Sequence, residues 1–258
     1  MSNPRLRPAD FTTELVSAFG PEKAGMDAAT RRVYSIDASI YRVDPEAVVV
    51  VESETDVVRA LAFCRERGIP LTARTAGTNL TGNALGPGVV LDLSRMGRLL
   101  SVDKERREAR AEPGLVCAEL ERDLEPLGLM FAPDPSSGDV CRIGGMIANN
   151  SAGPRTGKYG AVKDNVSSLR VILPDGTAIE ARSFALDEPA FRRLLAERPD
   201  VRTAYEAVRD NAPLIRSRRI GVSKNSAGYN LFDLADGIAE GRFDLHKLFV
   251  GSEGTLGI

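Results

Sequence analysis

The feature that most limits the fold of this chain is a glycine-rich segment that leads into a strand pattern, not a helix pattern. Residues 74–88 contain Gly77, Gly82, Gly86 and Gly88, and the apolar run Val89-Val-Leu-Asp-Leu93 follows them directly. In a Rossmann-type fold such glycines open a helix whose N-terminus faces a pyrophosphate. Neither G-x-G-x-x-G nor G-x-x-x-x-G-K-[ST] occurs in the chain. The two common nucleotide-binding motifs are therefore excluded.

The residues before this segment predict a β-α-β unit. Ala47-Val-Val-Val-Val51 is a β-branched run of strand length, typical of a strand buried on both faces. Ser53 or Thr55 can cap a helix that begins at Asp56 and ends at Gly68, which has the position of a terminating glycine. Residues 70–73 then form a second short strand.

The rest of the chain predicts a mixture of helices and strands. Leu120, Leu124 and Leu127 recur at helical spacing, and Pro174-Asp-Gly176 marks a tight turn between two strands. The predicted strands are 107–112, 114–117, 167–173, 177–182 and a final strand that begins at Lys247 and enters a glycine turn; the predicted helices are 118–127 and those within 187–216. Residues 1–44 are predicted to be helices and loops.

Composition excludes several functional classes. With 43% hydrophobic and 27% charged residues the chain is ordinary globular material, large enough for one large domain or two smaller ones. The 34 basic and 36 acidic residues leave a net charge of −2, which offers no electrostatic basis for nucleic-acid binding. Aromatic residues make up 5% with no Trp, so stacking platforms for single strands are not expected either.

Cysteine usage and the termini predict a cytoplasmic protein without a membrane span. Cys64, Cys117 and Cys141 are isolated, with no C-x-x-C spacing, which indicates a reducing compartment. We interpret them as buried small apolar residues; Cys141 alone has a functional alternative, because it lies in a loop considered below. No signal-peptide core is visible, and the longest apolar run, 47–51, is far shorter than a membrane helix.

Three loops combine the residue types that a nucleotide cofactor requires. The first loop, residues 74–83, has glycines that allow successive backbone N–H groups to converge on an anion, hydroxyls that add donors, and a cationic start. Such chemistry suits a pyrophosphate without a helix dipole; the alternative is a surface loop that needs glycine only for its turns. Its candidate residues are Arg74, Thr75, Ala76, Gly77, Thr78, Asn79, Thr81 and Gly82.

The second loop, residues 132–153, and the third loop, residues 251–257, carry similar material. In the second loop Gly144-Gly145 starts an apolar helical turn, and Asn149, Asn150 and Ser151 supply amides and a hydroxyl. So many donors are costly unless something polar lies against them, although Asn and Ser often satisfy their own turns. In the third loop Glu253 lies between glycines and could accept a hydrogen bond from a ribityl hydroxyl or a ring N–H.

Taken together, these segments resemble the FAD-binding domain of the vanillyl-alcohol oxidase and p-cresol methylhydroxylase (PCMH) superfamily. The branch it is most similar to contains the D-lactate, glycolate and D-2-hydroxyglutarate dehydrogenases. The resemblance extends from about residue 37 to the end. It is carried by 45–51 with Asp56-Val-Val, 74–82, Pro133-Asp-Pro-Ser-Ser137, Ile143-Gly-Gly-Met146 with Asn149-Asn150, Lys158-Tyr-Gly160, 223–231 and 251–258.

The resemblance implies an α+β fold, the PCMH-type FAD-binding fold of two α/β subdomains with FAD between them. It places the first loop at the pyrophosphate. The further cofactor-binding residues that it implies are Pro133, Asp134, Ser137, Gly144, Gly145, Asn149, Asn150, Ser151, Glu253 and Ile258. The expected division is an N-terminal helical segment (1–44), a first subdomain (45–111) and a second subdomain (112–258), with the substrate domain outside this chain.

The function implied is oxidation of a D-2-hydroxy acid by hydride transfer to flavin N5. The electron acceptor is unidentified. The expected location is cytoplasmic, and the protein could associate with the inner membrane face through its electron acceptor. Some members bind FAD covalently through a first-loop histidine; the only histidine here is His246, so we expect non-covalent FAD. No catalytic base and no metal ligand is assigned; relatives place a divalent metal or an iron–sulfur cluster in later regions, and this piece alone is expected to be inactive. The alternatives are a UDP-N-acetylenolpyruvylglucosamine reductase-like flavoenzyme and a non-catalytic nucleotide-binding domain.

Overall fold

A computed structural model describes residues 8–222 and 225–258, which form eleven helices and nine strands. The helices are α1 (Pro8–Phe19), α2 (Ala28–Tyr34), α3 (Glu54–Arg67), α4 (Cys117–Leu124), α5 (Ile143–Asn149), α6 (Thr156–Tyr159), α7 (Pro189–Glu197), α8 (Pro199–Asp210), α9 (Ala212–Ser217), α10 (Leu231–Ala239) and α11 (Leu245–Phe249). The strands are β1 (Ala24–Gly25), β2 (Ala47–Val50), β3 (Leu71–Arg74), β4 (Val89–Asp92), β5 (Leu99–Asp103), β6 (Glu108–Ala111), β7 (Ser168–Ile172), β8 (Ala178–Ala185) and β9 (Arg242–Asp244).

The predicted β-α-β unit is confirmed. Helix α3 begins where the Ser53 hydroxyl accepts a hydrogen bond from the Asp56 N–H at 3.2 Å. It ends at Gly68, which has a φ of 63° in the left-handed region that glycine adopts without strain. Local residues therefore decide both ends of this helix.

The first sheet has the strand order β1-β2-β4-β3, in which β4 pairs in parallel with both β2 and β3. A chain that leaves β3 must therefore return to the other end of the sheet before it can form β4. Parallel neighbours need a crossover of about a dozen or more residues, which is usually a helix. Here the glycine-rich segment 75–88 makes that crossover, so it passes the carboxyl ends of the strands, where open α/β sheets bind ligands.

The first hydrophobic core lies against this sheet. Phe11 and Phe19 of α1 pack on Phe63 of α3, with ring centroids 5.7 and 6.4 Å apart. Ile172 of β7 is buried in the same core, with Ile258 packed beside it. The N-terminal helix and the end of the chain are thus both held by the first sheet.

Two further cores lie in the second half. One packs α4 and α5 together, with Leu120, Leu124 and Met146 buried. The other packs the antiparallel sheet β7-β8-β9 against α7, α8, α10 and α11 around an aromatic cluster that includes Phe191 and Phe243. Residues 112–258 therefore hold two cores, and the subdomain boundaries expected from sequence stay a prediction.

Two predicted strands are wrong. Residues 114–117 contribute only an isolated bridge, from Val116 to Arg142, because Cys117 already begins α4. The apolar run after Lys247 belongs to helix α11, in which Leu245, His246 and Phe249 are buried. A short apolar run of this length does not distinguish a buried strand from a buried helix.

Candidate functional site

A single large cleft of about 1780 Å³ lies between the first loop, the second loop and the third loop. It exceeds the roughly 300–1,000 Å³ typical of drug-sized ligand sites, so it has room for a dinucleotide. Most of the predicted site residues line it. They are Arg74, Thr75, Gly77, Thr78, Asn79, Thr81, Ser137, Gly144, Gly145, Asn149, Ser151, Glu253 and Ile258.

The backbone of the first loop presents a row of free donors. Within residues 8–222 and 225–258, the N–H groups of residues 75–80 donate to no protein acceptor. Residues 75–79 are nevertheless half-buried. Half-buried amides of this kind need water or a ligand as partner, and successive N–H groups in a concave loop form an anion-binding site.

Hydrogen bonds within the first loop, and hydrogen bonds to residues 37 and 38, fix its conformation. The Asn79 Oδ1 atom accepts hydrogen bonds from the backbone N–H of Thr81 at 2.9 Å and of Asn83 at 3.2 Å. The Asn79 amide donates to Asp37 Oδ2 at 3.2 Å, and the Gly77 carbonyl accepts from the Ala38 N–H at 3.0 Å. Asn79 therefore shapes the loop, while the N–H groups of 75–80 remain available.

Arg74 anchors the start of the first loop to the segment 34–36. Its guanidinium donates to the carbonyls of Tyr34 at 3.2 Å and Ile36 at 2.9 Å, and it lies over the Tyr34 ring, 5.2 Å from the centroid. Burial lowers the pKa of this guanidinium. A Cβ on Gly77, which has a φ of +66°, would lie 2.5 Å from an Arg74 nitrogen. The glycine thus gives the arginine room beneath the loop.

The second loop meets the first at Gly145. A Cβ added to Gly145 would lie 2.8 Å from Thr75 Oγ1, closer than real Cβ contacts. Further along, a Cβ on Gly153 would lie 1.7 Å from the Asp134 carbonyl oxygen, and one on Gly144 would lie 2.6 Å from Pro113 Cβ. These glycines are required by close packing.

The third loop is docked on the second. Gly251 N–H donates to the Ile147 carbonyl and Glu253 N–H donates to the Ala148 carbonyl, each at 2.9 Å. The Glu253 carboxyl also lies near the Asn83 side chain at the end of the first loop, and both residues line the cleft. Three segments that are distant in sequence therefore contact one another in pairs around one cleft.

Glu253 carries strain at the cleft wall. Its φ is +53°, a region that non-glycine residues rarely adopt and that is common at functional sites. Burial raises the pKa of its carboxyl, although the nearby Asn83 side chain opposes that shift. The cleft thus contains a carboxyl that keeps its proton to a higher pH than an exposed glutamate does.

Some predicted site residues lie outside the cleft wall. Asn150 ends α5 with a φ of 50°, is fully buried, and its Oδ1 accepts the Lys163 N–H at 2.9 Å. Its amide nitrogen finds no partner among the described residues. Asp134 pairs with Arg155 at 3.3 Å, a Cβ on Gly82 would lie 3.0 Å from the Tyr41 ring, Pro133 is buried, and Ala76 is half-buried.

The sequence did not identify one wall of the cleft. The antiparallel hairpin β5–β6 and the start of β7 contribute lining residues that include Arg98, Arg110 and Arg170. The Arg98 guanidinium donates two hydrogen bonds, of 2.6 and 3.1 Å, to Glu112 Oε1. The Arg170 guanidinium donates two hydrogen bonds of 2.7 Å to the Glu54 carboxylate of α3. In the sequence these arginines resemble ordinary solvent-exposed side chains. No sequence signal therefore identified them as lining residues of the cleft.

The described helices give no sign of a membrane span. Across residues 8–222 and 225–258, no helix reaches the combined length and apolar character that crossing a bilayer requires.

Comparison with known protein families matches residues 45–182 to the family described as "FAD binding domain". The chain is 33% identical over 252 residues to the glycolate oxidase subunit GlcD of Bacillus subtilis (strain 168), covering 96% of this chain and 43% of that protein. It is 34% identical over 239 residues to the D-2-hydroxyglutarate dehydrogenase of Pseudomonas putida (strain KT2440), covering 90% of this chain and 23% of that protein. The chain therefore spans less than half the length of these relatives.

Solved structures share the fold. An alkyldihydroxyacetonephosphate synthase superposes with a TM-score of 0.62 at 25% identity, over 70% of this chain and 39% of its own. A 6-hydroxy-D-nicotine oxidase from Arthrobacter nicotinovorans superposes with a TM-score of 0.55 at 22% identity, over 62% of this chain and 35% of its own. The α+β, PCMH-type FAD-binding fold expected from sequence is confirmed.

Proposed function

The chain belongs to the FAD binding domain family, and from this premise we propose that its cleft binds FAD non-covalently with the diphosphate against the first loop. One observation carries the proposal: the N–H groups of residues 75–80 donate to no acceptor among the described residues, in a loop whose Thr75 hydroxyl lies against Gly145 of the second loop. Backbone donors in this arrangement bind a diphosphate without a helix dipole.

The residues of the cleft fit such a group. The volume of about 1780 Å³ accommodates an extended dinucleotide, and Gly145 leaves open the space that a side chain would fill. Ile258 supplies an apolar part of the cleft wall, and it exchanges backbone hydrogen bonds of 2.7 and 2.9 Å with Ile172. The cleft-lining residues given above are the proposed cofactor contacts.

The catalytic part of the proposal concerns a 2-hydroxy acid. Bound FAD supplies the acceptor for a hydride from the carbon that carries the hydroxyl. The first loop orients the cofactor, and the Ile172–Ile258 pair keeps water from its apolar side. Glu253 places a carboxyl whose pKa is raised by burial at the wall of the cleft. We assign no catalytic base within the described residues.

The substrate class rests on the relatives. Glycolate and D-2-hydroxyglutarate are the acids in the names of two proteins that are similar to this chain over most of its length. Because this chain spans less than half of those proteins, the activity, the electron acceptor and a cytoplasmic location are proposed for the whole protein. The division into subdomains 45–111 and 112–258 is likewise part of the proposal.

Titration with FAD tests the cofactor site. We expect quenching of flavin fluorescence with one FAD per chain, and at least a tenfold weaker affinity in Gly145→Ala, whose new Cβ would crowd Thr75. Gly157→Ala is the matched control, because nothing lies within 4 Å of a Cβ at Gly157, and its affinity should stay within twofold. A folded protein that takes up no FAD contradicts the proposal.

Anaerobic reduction tests the chemistry. In the full-length gene product, D-lactate, glycolate or D-2-hydroxyglutarate should bleach the flavin absorbance, whereas NADPH should not. Bleaching by NADPH with none by the acids would overturn the hydroxy-acid proposal and favour the reductase alternative. FAD uptake without either reaction would leave the cofactor site standing and refute the catalytic part.

A further inference from the structure

Two cysteines outside the proposed chemistry face each other across antiparallel backbone. Val116 and Arg142 form an antiparallel bridge, and the Cys117 N–H donates to the Cys141 carbonyl at 3.0 Å. The two cysteines are the residues next to this bridge, and a single backbone hydrogen bond joins them, because the Cys141 N–H donates to the Ser137 carbonyl at 2.8 Å. Residues joined by a backbone hydrogen bond have Cα atoms about 6 Å apart, within the range that a disulfide spans without backbone movement.

The two thiols share one environment. Both side chains are buried in the core between α4 and α5, close enough for each thiol to shift the pKa of the other. The Cys117 thiol and the Ser137 hydroxyl lower the pKa of Cys141, while Cys141, burial and the nearby Glu121 and Asp134 carboxylates raise the pKa of Cys117. Cys141 is therefore the thiol that ionises first.

The third cysteine provides an internal comparison. Cys64 is buried in the first core, and burial raises the pKa of its thiol to about 12. Among the described residues, no second cysteine lies in that core. Such a thiol is inert towards mild oxidants, because the thiolate is the reactive form.

We propose that Cys117 and Cys141 form a dithiol that closes to an intramolecular disulfide on oxidation by a peroxide. The Cys141 thiolate attacks a peroxide oxygen, so an S–O bond forms, the O–O bond breaks and, with hydrogen peroxide, one water leaves. The Cys117 sulfur then attacks the resulting sulfenic acid, the S–O bond breaks and a second water leaves. Two thiols lose two electrons and two protons, and hydrogen peroxide becomes two molecules of water.

The position of the pair gives the disulfide a structural effect. Cys141 lines the cleft, through which a small peroxide can arrive, whereas Cys117 lies at the start of α4. The bond would tie that helix to the segment that enters α5, three residues before Gly144. It would also close a loop of about 25 residues, which lowers the entropy of the unfolded chain.

Peptide mapping of the full chain tests the site. After reduction, treatment with hydrogen peroxide and alkylation in denaturant, trypsin should release peptides 111–122 and 123–142 joined by a bond that dithiothreitol breaks. Cys64 should be found alkylated. We expect the melting temperature of the oxidised chain to be roughly 5 °C higher. Separate alkylation of Cys117 and Cys141 after oxidation, or a lower melting temperature on cross-linking, would overturn the proposal.

Cysteine variants distinguish oxidation of the Cys117–Cys141 pair from oxidation of thiols in general. Cys64→Ser should form the linked peptides as the natural chain does. Cys117→Ala should stop at a sulfenic acid on Cys141 that a dimedone probe labels, whereas Cys141→Ala should give no label on Cys117. If either alanine variant does not fold, the mapping of Cys64→Ser against the natural chain still decides the proposal. These readouts need no cofactor, so they are independent of the proposed function.

Discussion

The first and second loops both combine glycines with Asn and hydroxyl side chains, but they use these residues in opposite ways. In the first loop the side chain of Asn79 is bonded on all sides, and the backbone N–H groups of residues 75–80 are free. In the second loop glycines such as Gly153 are pressed against other backbone, and the N–H of Gly153 is bonded to the Thr156 hydroxyl at 2.9 Å.

The difference shows what glycine does in each place. In the second loop it allows close packing, so an added carbon collides with the protein itself. In the first loop the conformation leaves donors pointing at an outside partner. Substitution of Gly153, which faces other backbone, should therefore reduce stability, whereas substitutions in the first loop, and at Gly145 where the second loop meets it, should mainly reduce affinity for the cofactor.

The largest expected effect is on folding and comes from the second loop. Gly153→Ala would place a carbon 1.7 Å from the Asp134 carbonyl oxygen, so the backbone of the loop must move. We expect the free energy of unfolding in urea to fall by about 3 kcal/mol. Gly157→Ala, with open space at its Cβ, should change it by less than about 1 kcal/mol. Equal stability of the two variants would remove the distinction between the loops.

The next effect is on affinity and comes from the first loop. Asn79→Ala removes the acceptor for two backbone N–H groups and the contact with Asp37, so the loop loses its shape without losing core packing. We expect FAD affinity to fall about tenfold, or about 1.4 kcal/mol. The matched control is Asn211→Ala, an exposed amide bonded to the Ala207 carbonyl, which should leave affinity unchanged. A loss of stability without a loss of affinity would contradict the role assigned to this loop.

The smallest effect concerns Glu253, where the third loop touches both others. Burial raises the pKa of Glu253 in the folded protein above its value in the unfolded chain, so stability falls as pH rises from the unfolded value through the folded one. Glu253→Gly should remove that fall and relieve the positive φ, raising stability by about 1 kcal/mol at neutral pH.

Arg107→Gly is the control for this variant, because Arg107 has a φ of 56° and no carboxyl. It should gain stability equally at pH 4 and pH 7 in urea titrations. A pH-independent effect in Glu253→Gly would show that the carboxyl does not contribute.

Much of the first sheet could be predicted because its signals are local. Ser53 and Gly68 mark the ends of α3, and the β-branched residues of the run at 47–51 favour a buried strand over a helix. The site residues at the three loops were predicted from the family resemblance.

The remaining features depend on tertiary contacts. The insertion of β4 between β2 and β3 is a choice of pairing that no single strand encodes. Helix α11 was predicted as a strand because its apolar residues are buried on several sides. The opposition of Cys117 to Cys141, 24 positions apart, becomes visible only in the register of the backbone.

The central claim is that the free amides of residues 75–80 bind the diphosphate of FAD. The direct measurement is the ¹⁵N–¹H NMR spectrum of the cofactor-free protein titrated with FAD. The account predicts large downfield amide proton shifts for residues 75–80, with smaller shifts at Gly153, whose N–H is already bonded. FAD binding that leaves the amides of 75–80 unshifted would contradict it.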